Sequence, residues 1–432
     1  MSVFRRNVLS NAGATAIGSL TQLALVAILS RLLDIASFAT YISAVAFIGV
    51  FEIASDFGTR VWATREFSIT AQGSDILLPA IGSKLLYSGI FTLFVLWVPL
   101  QNLTFVDTIL CLLIASLQPP TDPLLWYLRG RERLDLEAIF TLYSRVGGAM
   151  VIALFVFLGC SVTTGLAGWI IVILSRIMLE TCTPEVKSLL ATTRIASWSL
   201  AKLKSVAINA FPVGLAFLLM AFYQRLGVLS LGQLSDATDV AMYGAAFTLT
   251  APAGFLAVSI TAASFPSLSR AMAAAKYQEV RRIVQRKIFI ISAVFFPLCA
   301  LGILLAPWAL PLFYGNRFQA SATIMMLLLP GLYISTVNFA LKYVLNAARR
   351  NWADAGSALV GVVVFLLMII VPFNKQLSLV AGVAWGVGEL AIFVIKVAVL
   401  ARYSKIPVSF IPYVISMLTL LAILSGYCVS RV

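Results

Sequence analysis

Histidine is absent from the 432 residues, and charged residues make up only 11% of them. Without imidazole the usual metal ligand and the usual near-neutral proton carrier are missing, so any proton coupling has to use carboxylates. The five cysteines, Cys111, Cys160, Cys182, Cys299 and Cys428, are scattered, odd in number and mostly inside apolar runs, which suits neither a disulfide framework nor a metal site. No Walker loop, dinucleotide glycine motif, His-containing triad or metal-ligand spacing occurs, so no catalytic site, metal or cofactor is expected. Long polar connections are scarce too, the longest running over 184–205. An enzyme that polymerises or ligates sugars at a membrane needs a sizeable outer loop or domain, and the outer connections here are only a few residues long. The sequence therefore argues for transport and not for an enzyme.

What is abundant is apolar surface. Hydrophobic residues reach 61%, against roughly 45 to 50% in soluble domains, which excludes a water-soluble globule and a disordered chain alike. At about 20 residues per span the length holds about a dozen helices. Apolar runs bounded by charges, Gly or Pro predict helices over 8–33, 36–57, 77–99, 104–127, 136–159 and 163–182, then 206–231, 239–263, 287–310, 321–345, 355–373 and 378–400, with a thirteenth over 409–429. The fold class expected is an all-α polytopic membrane protein: two six-helix bundles (1–183 and 206–402) joined by a cytoplasmic connection (184–205), plus an extra C-terminal segment (403–432). Arg5 and Arg6 precede an apolar run reaching Leu33, too long for a signal-peptide core, so the first helix is expected to be retained.

The net charge of +14 would suggest a nucleic-acid partner in a soluble protein; here it sorts by side of the membrane instead. With the N-terminus taken as cytoplasmic, 25 of the 31 Lys and Arg fall on the cytoplasmic side. Four (Arg31, Arg317, Lys375 and Arg431) fall outside, and Arg145 and Arg225 stay within helices. That asymmetry supports both the spans and a multi-pass membrane protein with its N-terminus cytoplasmic. Six helices return the chain to its starting side, so the halves are expected to be parallel repeats. Residues 38–44 (FATYISA) and 240–246 (VAMYGAA) stand at equivalent places 202 positions apart.

Helix one carries Asn7, Asn11, Thr15, Ser19 and Gln22 on one face; the stripe is either interhelical hydrogen-bonding glue or the wall of a wet cavity. Ionisable residues at membrane depth are costly and so are functional candidates. They are Arg145, Arg225, Glu52, Asp56, Asp122 and Glu389, with Arg176–Glu180 and Asp56–Arg60 spaced to pair along a helix. Arg225 or Arg145 can alternatively snorkel toward an interface. Arg225 is placed roughly 9 Å short of the outer end of its helix. Prolines within spans are expected to kink helices.

Several motifs then line up in order. Arg31-Leu32-Leu33 closes helix one; Ser55-Asp56-Phe57-Gly58 and Thr64-Arg65-Glu66 follow helix two; Trp126 to Arg133 reads WYLRGRER. Pro212, Tyr243-Gly244-Ala245-Ala246, Phe265 to Arg270, Tyr314 to Phe318 and Leu345 to Arg350 follow in the second half. Across the first twelve helices the chain resembles the polysaccharide transporter, or oligosaccharide (O-antigen, exopolysaccharide) flippase, family of the superfamily shared with multidrug exporters. It departs from the family at Asp34, where Gly is usual, and at Gly227, where many members carry Asp; without that acid a permanent ion pair at Arg225 is less expected and a vacant cationic site more so.

The resemblance implies export of an undecaprenyl-diphosphate-linked oligosaccharide to the outer leaflet by alternating access of the two bundles. A monomer is implied, working among membrane lipids and beside a glycan polymerase or export machinery. It makes Arg225, Arg145 and Arg31, in that order, candidate pyrophosphate partners, and Asp56, Glu52, Asp122 and Glu389 candidates for ion coupling. A multidrug exporter of the same superfamily and a non-transporting partner in a glycan-assembly complex are the alternatives. The charge split predicts that cysteines placed at 184–205 or 271–286 react only with reagents reaching the cytoplasm. Labelling from outside in intact cells would reverse the orientation.

Overall fold

A computed structural model describes residues 3–69, 73–97, 103–117, 121–193, 199–262, 265–348, 350–371, 376–403 and 411–429. Among them there are helices and no strands. The first unit, Met1–Ala221, holds α1 (Val3–Leu32), α2 (Ile35–Asp56), α3 (Thr59–Ile69), α4 (Ser74–Trp97), α5 (Phe105–Leu117), α6 (Asp122–Gly130), α7 (Leu134–Phe157), α8 (Val162–Cys182) and α9 (Pro184–Thr192). Helix α10 (Leu200–Leu234) contains the division between units. The second unit, Phe222–Val432, continues with α11 (Ala237–Ala262), α12 (Phe265–Ala273), α13 (Tyr277–Tyr314), α14 (Gln319–Ala347), α15 (Asn351–Ile370), α16 (Leu377–Tyr403) and α17 (Ile411–Val429). Ten helices among the described residues are long and apolar enough to cross a membrane; the chain is an all-α, multi-pass membrane protein.

The elements differ from the sequence expectation where charge interrupts apolar pattern. The span expected over 104–127 is two helices, α5 and α6, on either side of residues 118–120, which lie outside the described residues. Pro123 sits in the first turn of α6, where a missing N–H breaks no helical bond. The polar connection expected over 184–205 contains α9, and α13 begins ten residues before the expected 287. Pro297, Pro307 and Pro311 lie inside α13 and Pro330 inside α14, each running as one helix. The C-terminal segment is helical, and its Tyr413 stacks on Tyr333 of α14 with ring centres 4.8 Å apart.

One departure from the resembled family and one of its landmarks acquire reasons here. Asp34 is the N-cap of α2, its carboxylate accepting from the Ser37 amide at 3.4 Å. Its hydrogen bonds to Ser37 hold the carboxyl below its ordinary value. At the other end, α2 stops because Phe57 and Gly58 take positive φ (32° and 78°). Gly58 also abuts α10: a Cβ there would lie 2.5 Å from the Ala210 carbonyl oxygen and 2.6 Å from the Gly214 nitrogen. Strain of that backbone type costs about 1 to 3 kcal/mol before the clash is counted. Gly58→Ala should therefore lower the melting temperature of the purified protein by several degrees. Gly89→Ala, where a Cβ meets nothing within 4 Å, should leave it unchanged.

Candidate functional site

Charges inside the first unit meet in one buried network. Asp56 ends α2, Lys84 lies mid-way along α4, Asp122 opens α6, and Arg176 and Glu180 are one turn apart on α8. The Lys84 ammonium, only 1% exposed, is bonded to the Asp122 carboxylate and lies 3.9 Å from Asp56. Arg60 reaches Asp56 at 3.4 Å; Arg176 lies 3.8 Å from Asp122 and 3.2 Å from Glu180, and donates to the Thr121 hydroxyl at 2.9 Å. The indole of Trp126 lies beneath Lys84, 5.1 Å from its ammonium. Three carboxylates face three cations, so the group is neutral as a whole, the condition under which charge is tolerated in a low-dielectric interior. Both pairs expected from helical spacing, Asp56–Arg60 and Arg176–Glu180, form.

The WYLRGRER segment is packing and tether. Trp126, Tyr127 and Leu128 are buried against Phe67 of α3, Leu77 of α4, Phe140 of α7 and Leu189 of α9. The Arg129 Nε donates to both oxygens of Glu137, at 3.0 Å each, and Arg133 pairs with Asp135 and Glu185. A Cβ on Gly130 would strike the Phe67 side chain at 2.7 Å. These residues join the short helices to the long ones.

The second unit repeats the principle with different helices. Lys396 of α16 pairs with Asp354 of α15 at 2.7 Å, and Lys342 of α14 lies 3.9 Å from the same carboxylate. Asn338 of α14 donates to the Glu389 carboxylate at 2.7 Å and to the Glu389 carbonyl at 2.9 Å, while Lys396 donates to the Asn338 carbonyl at 3.3 Å. Lys84, Arg176, Lys342 and Lys396, counted from sequence as charges of the cytoplasmic side, are thus partners of acids on neighbouring helices. The one-sided charge split survives their removal.

Of the other expected site residues, Glu52 is exposed on α2. Gln22 donates to the Tyr41 hydroxyl at 2.8 Å, and Ser19 is also engaged, so this part of the stripe bonds within the protein. The side chains of Asn7, Asn11 and Thr15 lie outside the described residues. Arg31 is exposed at the end of α1 and has a partner. Arg225 is half-buried and also has a partner, in contrast to the vacant cation that Gly227 suggested. Because α10 extends to Leu234, Arg225 lies about 13 Å from that end, deeper than expected. Gly227 itself has a packing cause: a Cβ there would lie 2.3 Å from the Tyr243 ring and hydroxyl.

Arg145 stands apart. It is exposed on α7, about 16 Å from one end and 18 Å from the other by helical rise, too deep for its side chain to reach either interface. Its guanidinium arm lies along α1 at Gly18, where a Cβ would meet the Arg145 Cδ at 2.9 Å. Among the described residues no carboxylate forms an ion pair with it. The arrangement holds a permanent cation at membrane depth, suited to binding an anion.

Sequence reasoning missed Lys84 and Lys396 because both were counted with the charges of the cytoplasmic side, and their acid partners stand far away in the chain. Removing one member of a buried pair typically costs about 3 to 5 kcal/mol, whereas replacing both by apolar groups is often neutral. Asp122→Asn should therefore strongly lower the melting temperature of the detergent-purified protein, and the double variant K84M/D122L should recover much of the loss. A wild-type melting curve for Asp122→Asn would show that the network does not hold the unit.

Comparison with known proteins accords with this architecture. A family model described as "Polysaccharide biosynthesis protein" matches residues 4–272, more than half the chain, and one described as MatE matches 212–373. No curated protein sequence matches. The fold is similar to that of an inward-facing multidrug resistance MATE family transporter of the MOP superfamily (TM-score 0.66, 15% identity, 90% of this chain and 96% of that one). It is similar also to the lipid II flippase MurJ in an inward closed conformation (TM-score 0.64, 12% identity, 98% and 99%) and to a eukaryotic MATE transporter (0.64, 15%, 93% and 97%). At these identities the structural likeness concerns the fold, and the sequence match over 4–272 carries the assignment: the chain belongs to the polysaccharide biosynthesis protein family.

Proposed function

We propose that the protein is a transporter that moves an undecaprenyl-diphosphate-linked oligosaccharide from the cytoplasmic to the outer leaflet of the bacterial inner membrane. The observation that carries this reading is the family match over 4–272; the exposed guanidinium of Arg145 at mid-membrane depth supports it. The physical problem is a pyrophosphate and a polar glycan crossing hydrocarbon. Guanidinium stays ionised and binds phosphate oxygens bidentately, which an ammonium does not. Arg145 is the first partner for the pyrophosphate, ahead of Arg225 and Arg31, each of which is already engaged.

Alternating access gives the head group a wet path while the lipid tail stays in the bilayer. Each negative charge leaving an inside-negative cell gains about 2.3 kcal/mol per 100 mV, so a dianionic head group gains roughly twice that. Of the four carboxylates considered for ion coupling, Asp56 and Asp122 are held by basic side chains. Glu52 and Glu389 are the two left for such a role. The match to MatE over 212–373 favours a second reading, cation-coupled export of a drug-like molecule.

Reconstitution separates the two. Purified protein in proteoliposomes should expose a short-chain diphosphate-linked oligosaccharide to an outside glycosidase and should not concentrate a fluorescent cationic dye. Arg145→Ala should reduce exposure at least about tenfold, the loss expected for one charge-assisted phosphate contact, without changing the amount of inserted protein. Arg145→Lys should restore it in part. Unchanged exposure by the Ala variant would remove Arg145 from the site; dye uptake without glycan exposure would replace the reading by the second.

A further inference from the structure

The N-terminal end of α13 carries a basic face whose position on the helix specifies a partner. Helix α13 has 38 residues, about 57 Å of rise and far more than a bilayer needs. Past Tyr277 in the first turn, its exposed apolar residues run as a stripe from Phe289 (71% exposed) to Leu312 (72%) and the adjoining Phe313, with Trp308 near the far end. Those limits lie about 35 Å apart, the span of a hydrocarbon core crossed with some tilt. One boundary of the apolar layer therefore falls at Phe289.

Arg286 and Arg282, both exposed, continue the same stripe beyond that boundary. At about 100° per residue they and Phe289 lie within about 60° of one another, opposite the buried Val280, Val284 and Ile291. By rise they sit about 4.5 Å and 10 Å past Phe289, within and just beyond the layer of lipid phosphates, which occupies roughly 5 to 7 Å on each side of the hydrocarbon. Arg281 is exposed beside them, and Arg270 and Lys276 are exposed on the approach to the helix. The segment has one acid, Glu279 in the first turn, and no ion pair forms between it and these arginines. Cations gathered here repel one another unless an anion lies between.

We propose that this face is a binding site for anionic phospholipid headgroups, held by Arg282 and Arg286 with Arg281 at its flank, in the leaflet that the charge split assigns to the cytoplasm. Charge sorting during insertion requires basic residues on this side of the membrane, but not their alignment below the lipid-facing stripe. The acyl chains of a bound lipid would lie along Phe289 and the apolar surface above it, while the guanidinium groups take the phosphate bidentately.

The test uses the full chain purified in mild detergent and offered equimolar phosphatidylglycerol and phosphatidylcholine, with retained lipid read by native mass spectrometry. Wild-type protein should prefer phosphatidylglycerol, and R282Q/R286Q should lower that preference about tenfold or more, as two interfacial charges imply. K202Q/K204Q, which removes the same charge from the start of α10, should keep the preference, and R282K/R286K should keep most of it. Excess inorganic phosphate should fail to displace the lipid, since a free anion lacks the apolar half of the contact. If the glutamine pair does not yield monodisperse protein, the single variants R282Q and R286Q should each show a partial drop. No preference in the wild type, equal losses in the two double variants, or displacement by phosphate would overturn the proposal.

Discussion

A lysine ammonium closed off from water inside a membrane protein has to be matched by negative charge within a few ångströms, and the first unit is arranged around that requirement. Lys84 satisfies it by drawing Asp56 from α2 and Asp122 from α6, and Asp122 in turn faces Arg176 on α8. Four helices are fixed to one another by groups that are each unfavourable alone. The attraction is strong because the dielectric is low, and for the same reason the loss of any one member leaves a charge that nothing can solvate. Short helices that would be marginal by themselves, α3, α6 and α9, gather on the neighbouring apolar cluster and are tethered by Arg129–Glu137 and Arg133–Glu185.

The second unit meets the same constraint through other residues. There Asp354 lies between two lysines, and Glu389 is held by the side-chain amide of Asn338, whose backbone carbonyl accepts from Lys396. The two tyrosines 202 positions apart, Tyr41 and Tyr243, have different surroundings. Tyr41 takes a hydrogen bond from Gln22 of the preceding helix; Tyr243 packs its ring and hydroxyl against the space left by Gly227. A carboxylate at 227 would have to displace that tyrosine. The missing acid is thus a matter of volume as well as of charge.

The sequence made legible what depends on composition and short-range periodicity. Long apolar runs became helices, and of the two acid–base pairs four residues apart, Arg176–Glu180 formed because α8 itself brings those positions together, whereas Asp56 and Arg60 meet across the turn between α2 and α3. It did not reveal pairs closed by tertiary packing. Lys84 and Asp122 are 38 residues apart, and nothing local distinguishes a lysine buried among acids from one at a loop. Short charged helices such as α3 and α12 lack the length on which an apolar pattern can be read. For Arg225 the reverse held: a local argument from Gly227 suggested a vacant cation, while contacts from elsewhere in the fold supply a partner.

These networks also separate two uses of intramembrane charge. An arginine or lysine that serves architecture is matched by acids and withdrawn from solvent, as Arg176 and Lys396 are. One that serves binding must stay accessible and must not be neutralised in advance, because a ligand would then have to break the internal pair before forming its own. Arg145 meets the second description: exposed, about 16 Å into its helix, and laid along a glycine that makes room for its arm. A side chain at position 18 would push the guanidinium off α1 without altering its charge. The position of that charge, and not its presence alone, is what the α1–α7 packing fixes, and the function proposed above, bidentate recognition of a pyrophosphate, would require that position to be held before the ligand arrives.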